Sequence, residues 1–480
     1  MVALLLTFTI NIFITTMKTF HLSAILMAIA FLLVSCVEME TMKTSCITTS
    51  TFPSIINDNN NSYNVSISEI HKMDFSRLLS PLTKSENVLS KRITPIVEGV
   101  DTLLYIINYD NSRGWILASG DKRMPFILAV GEKGNLDIER ASTNNGFVIW
   151  LEKIMGVTRY LKKNPDLVPD STYIKIWEPD ICNATKGGGG EHEGEWLQLV
   201  YTIIDYSVLH YNIDHFMSTH WGQEEPWNSC LPLYTNGIDR CPAGCAVVAA
   251  AQTAYYLHDM IGKPIKAYQY GICNDYYTAN SPTITRYNLD SSNWALMPLD
   301  SSSATTAGKN AVSALMADIG KRSGASWHPN GTSVSLAGIM NYFSHYGVSC
   351  SSGLFDNETI LNDILNDKPV IVGLNPCPQN SFGSHTAVID GMCVYSTRYT
   401  YYNQWMPIGT FPPVEPEFPD LEHPELYEIG YGWGSNTQYY YRLNWGFDDG
   451  YLDQGYYLYN TQWGIGSFRY EPDVILYNFH

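Results

Sequence analysis

The chain is 480 residues long, 45% hydrophobic and 16% charged, with a formal net charge of −18. That length exceeds what one ordinary core needs, so two or three folded units are expected, and the composition is globular rather than disordered. Its 47 acidic residues outnumber 29 Lys and Arg and are dispersed along the chain. This argues against nucleic acid as a partner, because phosphate binding needs clustered cations.

Lys18 is the only fixed side-chain charge in the first 35 residues. Met17-Lys18-Thr19, the apolar stretch 25–34 and Leu33-Val34-Ser35-Cys36 read as a secretory signal over 1–36, with Met1 and Met17 both open as the start. The Leu-x-small-Cys ending resembles the bacterial lipobox, which implies a lipid anchor at Cys36 and a place on the outer membrane or cell surface, or secretion after processing. An ordinary signal peptide with an incidental Cys36 is the plainer alternative. The Ser/Thr/Asn-rich run 48–66 has little to bury, so 37–64 is expected to be a flexible tether.

Residues 65–170 carry the pattern of a small α+β domain. The β-type runs LLYIINY (103–109), WILAS (115–119) and FILAVG (126–131) are separated by turn residues, and 145–162 places Phe147, Trp150, Leu151, Ile154, Met155 and Val157 at helical spacing. Residues 171–195 end in CNATKGGGGEHEGE, whose four consecutive glycines mark a linker and a place to cut. From 196 to 480 helices come first, at 244–258, 310–321 and 334–346. Strand-like runs follow: VIVGL, HTAVIDGM, YYYRLNW and YYLYN. That order predicts an α+β enzyme of two subdomains. The ten Cys show no disulfide framework, although Cys230 and Cys241 are placed to close a loop. His210, His215 and His220, five apart, fit a helical metal face poorly and read as surface or core residues.

Four segments carry chemistry. In Cys241-Pro-Ala-Gly-Cys245 the glycine permits a tight turn and an Ala-rich helix follows, so Cys245 falls at a helix start, where free N–H groups and the dipole favour thiolate. The same placement suits a small buried hydrophobe. His385 opens the strand HTAVIDG after a Gly/Ser turn, as a base set at a strand end. Asn444 offers a carbonyl to hold an imidazole N–H and Trp445 an apolar shield. Gln223, upstream of Cys245, offers an amide for an oxyanion hole.

The order Gln, Cys, His, Asn is that of papain-like proteases, and the 140 positions between Cys245 and His385 match the roughly 130–150 seen in papain itself. The motifs resemble those of the streptopain family, including its interpain-type members. WGQEEPWN, GCAVVAAAQ, SHTAVIDG and NWGFDDG stand where that family has Gln-x-x-Pro-Tyr-Asn, Gly-Cys-Val-Ala-Thr-Ala-x-Ala-Gln, His-Ala-x-Val-Ile-Asp-Gly and Asn-Trp-Gly-Trp-Gly-Gly. Residues 65–165 resemble the streptopain propeptide through RGWILASGD at 113–121. The resemblance implies a papain-like protease of two subdomains preceded by an inhibitory propeptide, acting on protein or peptide substrates. Its catalytic residues would be Cys245, His385, Gln223, Asn444 and Trp445, with no metal or organic cofactor. The propeptide would hold the pair apart or block access until the linker is cut.

Two departures stand out: Phe447 replaces a second Trp, and 59 positions separate His385 from Asn444, more than is usual. The extra part, FPPVEPEFPDLEHPE, is Pro-rich and is expected to be a loop near the cleft. An amine acyltransferase and a catalytically inactive surface-binding protein on the same fold remain open alternatives.

Overall fold

The computed structural model describes residues 63–72, 91–167, 183–186, 196–233 and 239–258, and then, with short gaps, 265–375, 383–407 and 429–480. The signal and lipobox with Cys36, nearly all of the tether, the glycine run at 187–190 and the Pro-rich stretch 411–425 lie outside the described residues.

The N-terminal part follows its sequence pattern. After helix α1 (Ile67–Lys72) come four antiparallel strands: β1 (Lys91–Glu98), β2 (Asp101–Tyr109), β3 (Trp115–Ser119) and β4 (Ile127–Gly131). A short helix, α2 (Ile138–Ala141), leads into α3 (Asn145–Lys163). The Asn144 side chain caps α3 by accepting from Phe147 N at 3.0 Å, and Lys162 and Lys163 occupy its last turn, both favourable to the helix ends. The apolar face of α3 (Phe147, Trp150, Ile154, Val157, Leu161) is buried in one cluster with Leu104, Ile106, Ile116 and Leu128 of the strands.

In the C-terminal unit β5 (Asn183–Lys186) pairs with β6 (Trp196–Ile213). Helix α4 (Cys245–Tyr256) packs with α5 (Thr306–Ser323) and α6 (Leu336–His345) in a second cluster. Two small hairpins lie between α4 and α5: Ile265–Gln269 (β7) with Thr283–Leu289 (β10), and Cys273–Asn274 (β8) with Thr278–Ala279 (β9). Then follow β11 (Ser351–Leu354), α7 (Asn357–Ile364), β12 (Val370–Leu374), β13 (His385–Pro407), β14 (Ile429–Asn444), β15 (Gly455–Leu458) and β16 (Val474–Tyr477).

The main sheet runs β1-β2-β3-β4-β15-β14-β13-β12-β16-β11, with β6 also pairing β13. Its central strands read as continuous apolar runs because both faces are covered. Val370, Val372, Ala387 and Ile389 belong to the cluster that includes α3, whereas Ile371 and Val388 belong to the cluster around α4. The α+β class holds, but the N-terminal domain is not a separate bead. Its β4 pairs β15 through Gly131↔Gly455, Val130↔Tyr456 and Ala129↔Tyr457, so the two sheets are one.

Two expectations need revision. No disulfide joins the buried Cys230 and Cys241, and the Cys230 thiol lies 3.9 Å from Asn310 O. Within the stretch read as a linker, Asn183–Lys186 form a strand in register with Leu197–Val200, so the glycines fall in the connection of a strand pair. The loop expected at 411–425 lies outside the described residues; the strands that flank it, β13 and β14, stay paired out to Gln404↔Ile429.

Candidate active site

Cys245 is the first residue of α4. The preceding Gly244 has φ +86°, and a Cβ there would lie 2.4 Å from Thr332 O, so the turn and the close approach both demand glycine. Thr332 in turn donates to Pro242 O at 2.6 Å, fixing the loop that presents the thiol. Ala246 to Ala254 are buried along α4, which gives Cys245 a rigid base, and Cys245 itself is half-buried. Ala243 N donates to Gln223 O at 2.7 Å, bringing the Gln223 segment alongside the start of the helix.

His385 begins β13, opposite Leu374 of β12, and is 3% exposed. Its Nε2 lies 3.0 Å from Trp445 O. A carbonyl only accepts, so Nε2 carries the proton and Nδ1 is the nitrogen left for exchange with a thiol. The thiol of Cys245 and the imidazole of His385 face and influence each other. Burial alone would push the Cys245 thiol up; His385, and after it the N–H and hydroxyl of Thr386, outweigh it and hold the thiol at about 7. Burial likewise disfavours the imidazolium, but Cys245 opposite it and the Trp445 carbonyl raise His385 above its ordinary value. The two shifts describe one coupled pair, thiolate with imidazolium.

Asn444 departs from its expected role. Its amide donates to Thr219 O (2.7 Å) and Gln252 Oε1 (3.1 Å), and its oxygen accepts from Gln252 Nε2 (3.0 Å) and Gly446 N (3.1 Å). Every hydrogen-bonding position of this buried amide is thereby taken, so Asn444 ties α4 to β14, and the acceptor for His385 is the neighbouring main-chain carbonyl. Trp445 is buried beside His385, ring centroids 6.4 Å apart. Phe447, the departure from the double-Trp pattern, stacks on the imidazole at 6.2 Å and 25°, so an aromatic face is kept there. Thr386 and Gln252 were missed as site residues. Gln252 sits seven positions after Cys245, two helical turns along the same face, which was the available signal. Thr386 had none, since its role depends on where α4 lies against β13.

The N-terminal domain covers this pair. Gly146, in the first turn of α3, sits so close that a Cβ there would lie 2.4 Å from His385 Cδ2, 2.7 Å from its Nε2 and 2.6 Å from Trp445 Cε3. Lys153, two turns on, forms a buried ion pair with Asp473 (2.7 and 2.8 Å). Trp150 Nε1 donates to Leu458 O (3.1 Å), Tyr440 Oη donates to Ile127 O (2.8 Å), and Arg442 pairs with Glu132 (2.9 Å). Of the two expected modes of inhibition, the geometry is that of blocked access: the pair is assembled and capped.

A thiol at a helix start facing an imidazole on the adjoining sheet is the papain-like layout, here with a domain seated over it. Residues 221–457 match the Peptidase C10 family and residues 57–156 the Spi protease inhibitor family. Residues 221–457 are thus of the peptidase C10, or streptopain, type of cysteine peptidase, with an inhibitor-type segment in front of them. Streptopain of Streptococcus pyogenes is 25% identical over 231 residues, covering 45% of this chain and 48% of that protein, so the match spans about half of the curated relative's length. Among solved structures, a fragment of Prevotella intermedia prointerpain A is 17% identical, with 80% of this chain and 98% of that one covered at a TM-score of 0.46. Active wild-type interpain A cysteine protease from the same organism is 19% identical, covering 56% and 95% at a TM-score of 0.34.

Proposed function

We propose that the chain is an exported cysteine endopeptidase made as a latent precursor, with Cys245 as nucleophile and His385 as its acid–base partner. The observation that carries the reading is the Cys245 thiol at the start of α4 opposite His385, whose ring lies against the first turn of α3. Once the covering domain leaves, the Cys245 thiolate attacks a peptide carbonyl carbon, and the oxyanion is met by the Cys245 N–H and the Gln223 amide. His385 gives its Nδ1 proton to the leaving amine. It then takes a proton from the water that splits the thioester, and Cys245 is regenerated. The Trp445 carbonyl keeps the ring turned so that Nδ1 faces sulfur.

The pH dependence of alkylation tests the pair. In the processed enzyme, relief of burial removes the influence that pushes the thiol up, so half-maximal labelling of Cys245 by iodoacetamide is expected at or below about 7. An unassisted thiol reaches that point near ~8.5. His385→Ala should move the midpoint up towards the free-thiol value, because the largest lowering influence on Cys245 is lost and only Thr386 remains. An identical profile in both proteins would mean that the residues do not interact.

Export and anchoring rest on the N-terminal sequence alone. If Cys36 is acylated, the protein expressed in a lipoprotein-processing bacterium fractionates with membranes, and Cys36→Ala is released or left unprocessed. Equal membrane association of both forms would instead point to an uncleaved apolar segment.

A further inference from the structure

Against the main chain of Trp445 lies a group of charged residues that the proposed chemistry does not use. Asp453 is 1% exposed. Its Oδ1 accepts from Trp445 N at 3.0 Å and its Oδ2 lies 2.9 Å from His220 Nδ1. His215 bridges the Asp453 carbonyl and Asp390, the latter at 2.6 Å. His220 rests against Gly450, where a Cβ would come 2.7 Å from its Nδ1. Two of the three histidines read from sequence as surface or core residues therefore belong to one buried His–Asp cluster.

The bonds form a continuous line: His220 to the Asp453 carboxylate, carboxylate to the Trp445 N–H, and Trp445 carbonyl to His385, which faces Cys245. The Asn444–Trp445 and Trp445–Gly446 peptides are planar. Two bonds fix the backbone that aims the Trp445 carbonyl at Nε2: Gly446 N donates to Asn444 Oδ1 on one side of it, and Trp445 N donates to Asp453 Oδ1 on the other. We propose that Asp453 is a positioning residue of the active site, holding the Trp445 main chain that orients His385, with His220 clamping its other oxygen. The inference rests on the reading of Cys245 and His385 as the catalytic pair. His220 reaches the far oxygen of Asp453 from the half-exposed side, and that hydrogen bond raises His220 above its ordinary value. The other ionisable groups facing the cluster are His215, Asp390, Asp300 and Arg442.

The test uses the full chain, processed in trans by a trace of wild-type enzyme, and reads both peptide hydrolysis and the pH midpoint of Cys245 alkylation. Asp453→Ala is expected to lower kcat roughly 10²-fold with KM little changed, and to move the midpoint towards the free thiol. Asp453→Asn, which keeps an acceptor for Trp445 N–H, should recover at least tenfold of the loss. Asp453→Glu keeps the charge but displaces the oxygen, so it should fall with the Ala variant; it decides the matter if the Ala variant does not fold. Wild-type kcat and midpoint in a folded Ala or Glu variant overturn the inference, as does an Asn variant no better than Ala. A wild-type enzyme with neither hydrolysis nor a lowered midpoint would fault the catalytic reading instead, so the two failures are distinguishable.

Discussion

Cys245→Ala is expected to leave a folded, uncut and inactive precursor, with peptide hydrolysis reduced on the order of 10⁶-fold, the scale of loss when a hydrolase loses its nucleophile. The substitution removes one sulfur at the first position of a helix already rich in alanine, so neither packing nor helix propensity suffers much. Three other described cysteines are poorly suited to take over. Cys230, Cys350 and Cys393 are free, but burial pushes all three thiols up, Cys350 to about 11 and Cys393 to about 12. Only Cys245 combines a helix start with an imidazole partner. Incubated wild-type precursor should also release a fragment whose N-terminus lies between residues 182 and 200, and the variant should not. Casein hydrolysis by the variant at the wild-type rate would remove Cys245 from the mechanism.

Local pattern made much of this fold legible. Helix α3 follows from its 3.6-residue apolar spacing with Asn144 ahead of it, and β3 from five apolar-compatible residues between turns. Cys245 was legible because glycine before an Ala-rich run marks a helix start, and His385 because a strand pattern follows it. What local pattern does not encode is which elements meet. Joining of β4 to β15, 324 positions apart in the Gly131↔Gly455 pair, leaves no trace in either strand alone. For the same reason the Asn444 amide was assigned to His385, when Gln252 from α4 reaches it first. The strand β1, with its exposed and half-exposed residues and internal Pro95, carries a weak period-two signal and was not read at all. Asp453 and His220 look like ordinary surface residues until the turn at Gly450 brings them against the main chain of Trp445.

Lys153→Met should open the precursor without any cut. The side chain keeps its length but loses its charge, leaving the Asp473 carboxylate buried against Asn375 N and the Tyr459 hydroxyl with no cation. Removing one partner of a buried ion pair costs about 3–5 kcal/mol, and here that cost falls on the closed arrangement, because departure of α3 lets water reach Asp473. The open fraction of the uncut chain should therefore rise roughly 10²- to 10³-fold. The rise would be seen as faster labelling of Cys245 by a peptide epoxide and as activity before processing. A tethered domain acts at about millimolar effective concentration, so latency weakens rather than vanishes until the linker is cut and the domain dilutes away. The defect should depend on pH with a definite sign. Burial pushes the Asp473 carboxyl up and Lys153 opposes it; without Lys153 burial acts almost alone, Asp473 is protonated at a higher pH, and the neutral acid is cheaper to bury. Leakiness of the variant is thus largest at neutral pH and shrinks on acidification. Gly146→Leu attacks the same interface at its other end, since even a Cβ at Gly146 overlaps the His385 ring; it should open the precursor at every pH, having no charge to titrate. If both variants remain as latent as wild type, with unchanged labelling rates, α3 is not what covers Cys245 in solution.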